Sequence, residues 1–246
     1  MKISIITAVF NRASTLEQAI LSVQAQSYTN TEHIFIDGLS NDGSIELIRR
    51  LKRPQDLLIS EKDDGIYDAL NKGILLATGD IIGIVHSDDY FSNNHVIRKI
   101  ANQFCLNDID GVYGDLDYIS KHDDTKILRR WISGEYSQSK LKFGWMPPHP
   151  TLFLKREVFE KWGLYDKKLR ISGDYEAILR YLSRGNIRLN YIPEVLVKMR
   201  VGGESNKSIK KIFQKSKEDL FAIRSNKTGG VSTLFFKNFR KLAQFL

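Results

Sequence analysis

The hydrophobic pattern of this chain switches repeatedly between short apolar runs and helix-spaced stripes. Residues 2–10, KISIITAVF, make a β-branched run at the start, and residues 33–37 and 57–60 make two shorter ones. Between them Leu16, Ile20 and Val23, then Ile45, Ile48 and Leu51, repeat at the spacing of one helical face. Ser14-Thr15-Leu16-Glu17 has capping-box spacing and predicts a helix start. Ile66, Leu70, Ile74 and Ala77 form the next stripe, Thr78-Gly79-Asp80 ends it, and residues 81–85 read as a strand covered on both faces. The alternation predicts an α/β fold: a doubly wound, mostly parallel sheet with helices on both faces.

The second half is less regular. A helix is predicted from about residue 94 to 103, burying Val96, Ile97, Ile100 and Phe104, with Cys105 in or near the core. Strands follow at 112–115 and 127–132. The prolines of 143–150, FGWMPPHP, predict a rigid loop, which leads into a strand at 151–154 and a helix at 155–162. Asp174 opens another helix through Tyr175, Ile178, Leu179 and Leu182. Residues 188–200 are strand-rich, with Pro193 marking an edge or bulge. From Ser208 an amphipathic helix shows a lysine-rich face, and residues 231–246 alternate Phe and Leu with Lys and Arg.

Composition adds limits. At 246 residues, 42% hydrophobic and 27% charged, the chain can bury a large core and has an ordinary globular balance. A single cysteine excludes an intramolecular disulfide framework and a cysteine zinc site. No apolar run approaches the ~20 residues that span a bilayer, and no secretory signal is visible, so a cytoplasmic setting is expected. The formal charge of +8 is concentrated towards the C-terminus, where a basic tail can face an anionic membrane, nucleic acid or water.

Candidate chemistry sits at predicted strand ends. Thr7, Ala8 and Asn11 follow the first strand, Asp37 the second, Asp63 the third and Asp88 the fourth, all on the edge where open α/β sheets bind ligands. No G-x-G-x-x-G turn or P-loop is present. Asp88 and Asp89 are adjacent carboxylates that repel unless they diverge or share a cation such as magnesium or manganese; the plain alternative is a helix cap. Asp42 suits a turn or cap. Asp115 and Asp117 invite a second metal reading but equally suit a bulged strand. His149 taken alone suits a hydrogen-bonded scaffold imidazole, and Asp174 taken alone is a helix N-terminal acid.

Several segments together resemble glycosyltransferase family 2, the inverting GT-A enzymes that use nucleotide sugars. Glu61-x-Asp63-x-Gly65-Ile66-Tyr67-Asp68-Ala69, continued by Asn71-Lys72-Gly73, is similar to one family segment. Asp37-Gly38-x-Ser40-x-Asp42-Gly43-Ser44 is similar to another, and His86-Ser87-Asp88-Asp89 resembles the D-x-D region with His86 in place of the first carboxylate. Met199-Arg200-Val201-Gly202-Gly203-Glu204-Ser205 resembles the closing loop. The resemblance covers roughly residues 2–205. It implies that Thr7, Ala8, Phe10, Asn11, Asp37, Asp63, Asn71, Ser87 and Asp88 hold the nucleotide sugar, UDP first with TDP and GDP as alternatives. It further implies that Asp88, with Asp89 beside it, binds Mn or Mg, that His149 lies on the acceptor side, and that Asp174 is the catalytic base.

The expected organisation is a GT-A-like domain over 1–205 and a basic, amphipathic helical extension over 206–246. The expected partners are a nucleotide-sugar donor, a glycan or lipid-linked acceptor and the inner face of an anionic membrane, with no nucleic acid. The resemblance places such an enzyme in bacterial envelope polysaccharide assembly: O-antigen, capsule or exopolysaccharide. Two other classes compete. A nucleotidyltransferase would open on a glycine- and arginine-rich phosphate loop, and residues 1–15 contain no glycine. A non-catalytic carbohydrate- or nucleotide-binding scaffold would account for His86, but retention of Asp88 and Asp174 speaks against it.

Overall fold

A computed structural model describes residues 1–202 and 209–242. The closing-loop residues 203–205 and the last part of the tail lie outside the described residues. The first half alternates as the pattern predicts: β1 (Ile3–Val9), α1 (Ala13–Gln24), β2 (Thr31–Asp37), α2 (Ser44–Leu51), β3 (Leu57–Ser60), α3 (Ile66–Leu76) and β4 (Ile81–Ile84). The second half carries β5 (Asp89–Phe91), α4 (Val96–Leu106), β6 (Gly111–Ile119), β7 (Ile127–Trp131), β8 (Phe153–Lys155), α5 (Arg156–Trp162), α6 (Gly173–Ser183) and β9 (Leu189–Arg200). The tail forms α7 (Ile209–Ser225) and α8 (Val231–Leu242).

The strands make one nine-stranded sheet in the order β3-β2-β1-β4-β8-β6-β9-β5, with β7 on β6. Strands β1 to β4, β6 and β9 run one way, and β5, β7 and β8 run the other. The register of β1, β2 and β3 sets Val9, Asp37 and Ser60 side by side at their carboxyl ends. Helices cover both faces, which is why the central strands read as continuous apolar runs. One core gathers Leu70 and Ile74 of α3, Val158 and Phe159 of α5, and Ile178 and Leu182 of α6. A second gathers Ala19 and Val23 of α1 with Ile97 and Ile100 of α4, and a third packs Leu16 and Ile20 of α1 against Phe35 and Ile48.

Polar side chains inside this core are paired. Glu32 accepts from Lys2, Ser4 and Thr78, tying β1 and β2 to the turn before β4. Thr7 gives its hydroxyl proton to the Val85 carbonyl at 2.7 Å, so the His33 Nε2, 2.8 Å away, must donate to Thr7. That fixes the neutral tautomer of His33 and leaves Nδ1 buried with no hydrogen-bond partner among the described residues.

Several local expectations change. The helix α1 starts at Ala13 with Arg12 as N-cap, not at the Ser14 box, because Asp42 reaches across to accept the Ala13 amide at 3.0 Å. Asp42 also takes the Ser44 amide, so one carboxylate serves the starts of α1 and α2. Asp89 begins the short strand β5 rather than capping a helix. Cys105 is exposed, one position off the buried face of α4. Pro193 lies at an irregularity: β6 pairs with Ile192 at Gly114 and then with Val195 at Asp115.

Burial pushes His33 down to about 3, against about 6.5 for an exposed imidazole. Between those values the unfolded chain binds the proton and the native chain does not, so stability falls as pH falls. Glu32, held at about 2 by its partners despite burial, works in the same direction below its ordinary range. We expect the urea midpoint to drop steadily from pH 6.5 to 4, as the unfolding free energy falls by up to about 1.4 kcal/mol per pH unit for one buried histidine. A midpoint independent of pH over that span would contradict the neutral-histidine core.

Candidate active site

The carboxyl edge of β1–β3 supplies one end of the site. Asp37 is fully buried, and its carboxylate accepts from the Ser40 amide at 3.1 Å and the Ser60 hydroxyl at 2.7 Å. Asn11 takes a left-handed backbone, with φ 53°, which turns the chain out of β1. Its amide donates to Ser40 Oγ and its side-chain oxygen accepts from the Asn41 amide. Asp63 accepts from the Gly65 amide at 2.8 Å and packs on Gly38, where a Cβ would come within 2.5 Å of Asp63 Oδ2. Phe10 borders the same glycine and is 60% exposed, far from the usual fate of a phenylalanine. Asp37, Gly38, Asp63, Asn11 and Phe10 therefore meet, with the partly exposed Ala8 on the strand that leads in.

Two expected donor contacts fall elsewhere. The Thr7 side chain is fully buried between His33 and Val85, so it ties strands together and does not face a ligand. Asn71 donates to the Tyr165 carbonyl at 2.9 Å and accepts from the Tyr165 amide at 3.0 Å. Both ends of its amide are spent on fixing the loop after α5, which makes it a scaffold residue.

Beyond β4 the two neighbouring acids separate. Ser87 is buried and accepts through its carbonyl from Thr15. Asp88 is partly exposed; Arg200 holds its carbonyl at 2.9 Å, and among the described residues no hydrogen bond engages its carboxylate. Asp89 points into the β5–β9 pairing and accepts from the Arg200 amide at 3.2 Å. Burial, then the charge of Asp88, push the Asp89 carboxyl well above the carboxylate range. Asp89 is 1% exposed and its Oδ1 takes the Arg200 amide, so its carboxyl faces the interior and not the open side of Asp88, which does not fit the expectation of Asp89 as second ligand. Asp88 fits: magnesium and manganese sites in phosphate chemistry use one or two carboxylates, with phosphate oxygens and water completing the shell. Among the described residues no group of three His, Cys, Asp or Glu could hold a metal alone.

The other end of the site is built on α6. Ser172 is the N-cap and Asp174 the second helical residue, near the positive end of the helix. The Tyr67 hydroxyl shares its proton between the Ile171 carbonyl at 2.8 Å and Asp174 Oδ1 at 3.1 Å. Gly173 permits this approach, since a Cβ there would sit 2.8 Å from the Tyr67 ring. Tyr67 stacks near Tyr165, whose hydroxyl is 2.8 Å from His149 Nε2, and the His149 ring lies 5.9 Å from His86. An unbroken row of side chains thus runs from Asp174 through Tyr67, Tyr165 and His149 to His86, next to Asp88.

Charge along this row is finely set. Burial would push the Asp174 carboxyl up; His149, Lys237, the Tyr175 amide and Lys215 outweigh it and hold it below the ordinary carboxylate range. Burial brings His149 down to about 4, against the pull of Asp174, and His86 is lowered in the same way. Near neutral pH both imidazoles are therefore uncharged.

Asp115 and Asp117 are committed elsewhere. Asp117 is paired with Arg130 at 2.9 Å, and Asp115 accepts from the Ser133 amide and the Tyr191 hydroxyl. Sequence reasoning passed over Tyr165, Arg200 and Lys237. Tyr165 and Lys237 carry no local signal, since only the fold brings them to Asp174. Arg200 lay inside the closing segment, which could have flagged it.

Residues 4–163 match the family profile described as "Glycosyl transferase family 2". An uncharacterized glycosyltransferase of Mycobacterium tuberculosis is 31% identical over 186 residues, covering 72% of this chain and 68% of that protein. A PGL/p-HBAD biosynthesis glycosyltransferase of Mycobacterium bovis is 28% identical, covering 86% of this chain and 82% of its own length. Among solved structures, residues 1–349 of S. aureus TarS with UDP-GlcNAc superpose with a TM-score of 0.71 at 15% identity, over 92% of this chain and 65% of that one. This chain covers only 40% of a longer TarS structure. A mannosyltransferase of Pyrobaculum calidifontis with GDP-Man and Mn2+ superposes with a TM-score of 0.68 at 18% identity, over 99% of this chain and 70% of that one. These likenesses identify the architecture as GT-A-like.

Proposed function

The chain belongs to glycosyl transferase family 2 and is a glycosyltransferase, and from that premise we propose that it moves a sugar from a nucleotide-sugar donor to an acceptor hydroxyl with inversion at the anomeric carbon. The observation that carries this reading is Asp174, a carboxylate kept below its ordinary range at a helix N-terminus and aligned by Tyr67. In a single displacement the acceptor oxygen attacks the anomeric carbon, the bond from that carbon to the diphosphate oxygen breaks, and the acceptor proton passes to Asp174. One attack from the face opposite the leaving group inverts the centre.

The nucleoside lies at the Asp37, Asp63, Asn11 and Phe10 end, where an exposed ring and buried acceptors suit a base. UDP is the first choice of nucleotide and GDP the second, in keeping with what the structural neighbours bind. Asp88 would hold a divalent cation, Mn or Mg, which supplies Lewis-acid stabilisation to the departing diphosphate when bound. His149, tied to Tyr165, borders the acceptor side. Residues 1–205 form the transferase domain in this reading, and 206–246 an extension that serves it.

The acceptor is a glycan carried on a membrane lipid, as in bacterial envelope polysaccharide assembly, and the enzyme works at the cytoplasmic surface of that membrane. What supports this is the outward face of the tail: Phe213, Phe235 and Phe239 are 77%, 65% and 60% exposed beside the exposed Lys210, Lys217 and Arg240. Among the described residues no helix is long and apolar enough to cross a membrane.

Asp174→Asn keeps the shape of the site, so folding and nucleotide affinity should survive while turnover of a panel of UDP- and GDP-sugars falls by about 10²- to 10⁴-fold. Turnover within a few-fold of the parent would reduce Asp174 to a helix-start residue. Asp88→Ala and chelation should each remove most activity, and Asp89→Asn should chiefly lower stability; full activity in chelator would end the metal assignment. For the tail, Phe235→Ser with Phe239→Ser should release the protein from phosphatidylglycerol vesicles in sedimentation and leave donor hydrolysis unchanged. Equal sedimentation of parent and double variant would rule out this face.

A further inference from the structure

Three buried charged side chains of the tail converge beneath the start of α6. Glu218 of α7 accepts the amides of Arg170, Ile171 and Ser172 at 3.2, 2.8 and 2.9 Å, fixing the turn that enters the helix. Asp219 beside it is 2% exposed and pairs at 2.6 Å with Lys237 of α8. Lys237 is itself only 5% exposed, and its ammonium stands 3.3 Å from the centre of the Tyr175 ring. Tyr175 is the residue after Asp174. The backbone of Lys237 is equally fixed: a Cβ at Gly144 would lie 2.6 Å from Lys237 Cα, so α8 is seated directly on the turn before the 145–150 loop.

A lysine buried to this degree is costly and needs a reason. One partner, Asp219, explains its charge but not its position, because the pair could form at the surface. We infer that Lys237 is a positioning residue for Asp174, so that the tail helices α7 and α8 are a working part of the active site. Lys237 packs on the ring of Tyr175 and holds positive charge beneath the first turn of α6, where the base must stay ionised. The inference rests on the reading of Asp174 as the base.

The groups facing Asp174 make the assignment specific. They are Tyr67 on α3, His86 after β4, Tyr118 on β6, His149, Tyr165 after α5, Lys215 on α7 and Lys237 on α8. The tyrosines stay neutral because burial raises them, and burial brings His149 down to about 4, so its charge reaches Asp174 only at acid pH. Near neutral pH the standing positive charges are therefore the two lysines, both supplied by the tail. Of these Lys237 is the buried one, where charge acts through little water.

The test reads the carboxyl directly and needs no knowledge of the donor. In protein labelled with ¹³C-aspartate, with Asp174→Asn to assign the signal, the Asp174 titration midpoint should move up in Lys237→Met and return towards the parent in Lys237→Arg. The acid limb of donor hydrolysis should move up in parallel, with turnover reduced between about 10- and 100-fold and KM little changed. Lys237→Met leaves Asp219 buried and unpaired and can fail to fold. The double variant Lys237→Met with Asp219→Asn removes both charges; it should regain a cooperative unfolding transition while the midpoint stays high. An unmoved midpoint in either variant, or full recovery of turnover in the double variant, would overturn the inference and leave Lys237 a structural ion pair. An active Asp174→Asn enzyme would instead sink the base assignment, whatever the midpoints do.

Discussion

Under the proposed function, a carboxylate that must stay ionised while protein packs against it is the constraint on which this structure turns. Burial favours the protonated form of Asp174, and a protonated base cannot accept a proton. The fold answers with the amino end of α6, the shared proton of Tyr67 and the lysines behind the helix. Each comes from a different part of the chain, so Asp174 works only when α3, α6, α7 and α8 are assembled. The contrast with Asp89 is instructive. That acid is 1% exposed where Asp174 is partly open, and burial with the charge of Asp88 outweighs the amide and charge of Arg200 and moves it the other way, above the carboxylate range.

The same contrast organises the rest of the acidic side chains. Glu32, Asp56, Asp115 and Asp117 are buried, and each is matched by a cation or by amides and hydroxyls of the scaffold. Asp88 is the acid at a central strand end whose carboxylate engages no hydrogen bond among the described residues, although Arg200 holds its main chain in place. Under the proposed function, an acid kept rigid in its backbone and left open at its carboxylate suits a cation that arrives with the substrate. At the other end Asp37 already has two protein partners, and in that reading its fixed orientation suits discrimination between bases better than strength of binding.

Much of this was legible in the chain, and the reasons for success and failure are physical. The β1–β4 half was readable because each strand is covered on both faces and each helix on one, so the period of the apolar positions changes at every junction. Asp37, Asp63 and Asp88 were legible as strand-end acids because strand ends are local features. Thr7 and Asn71 misled because the same local features say nothing of where a side chain's bonds go. Thr7 is spent on Val85, 78 positions away, and Asn71 on Tyr165, 94 positions away. Cys105 missed the core by one step of helical rotation at the end of α4, where the boundary itself was short by several residues.

The tail carries a pattern whose two faces the sequence does not assign to inside and outside. The alternation of Phe with Lys and Arg marked α8 as amphipathic, and such a helix packed in water would ordinarily bury its rings and expose its lysines. The structure instead turns Thr233 and Lys237, four residues apart, towards the protein and leaves Val231, Phe235 and Phe239 outside. Lys237 goes in because Asp219 and the face of Tyr175 give its charge partners that water would otherwise provide. The rings outside meet one another, Phe235 stacking on Phe239 at 6.2 Å, and stay largely exposed, which is a liability for a protein in water and an asset at a lipid surface. Under the proposed function one short helix thereby has two faces with different tasks: the inner would steady the base, and the outer would meet whatever carries the acceptor. A substitution that weakens one face need not weaken the other, which makes the two tasks separable even though a single helix performs both.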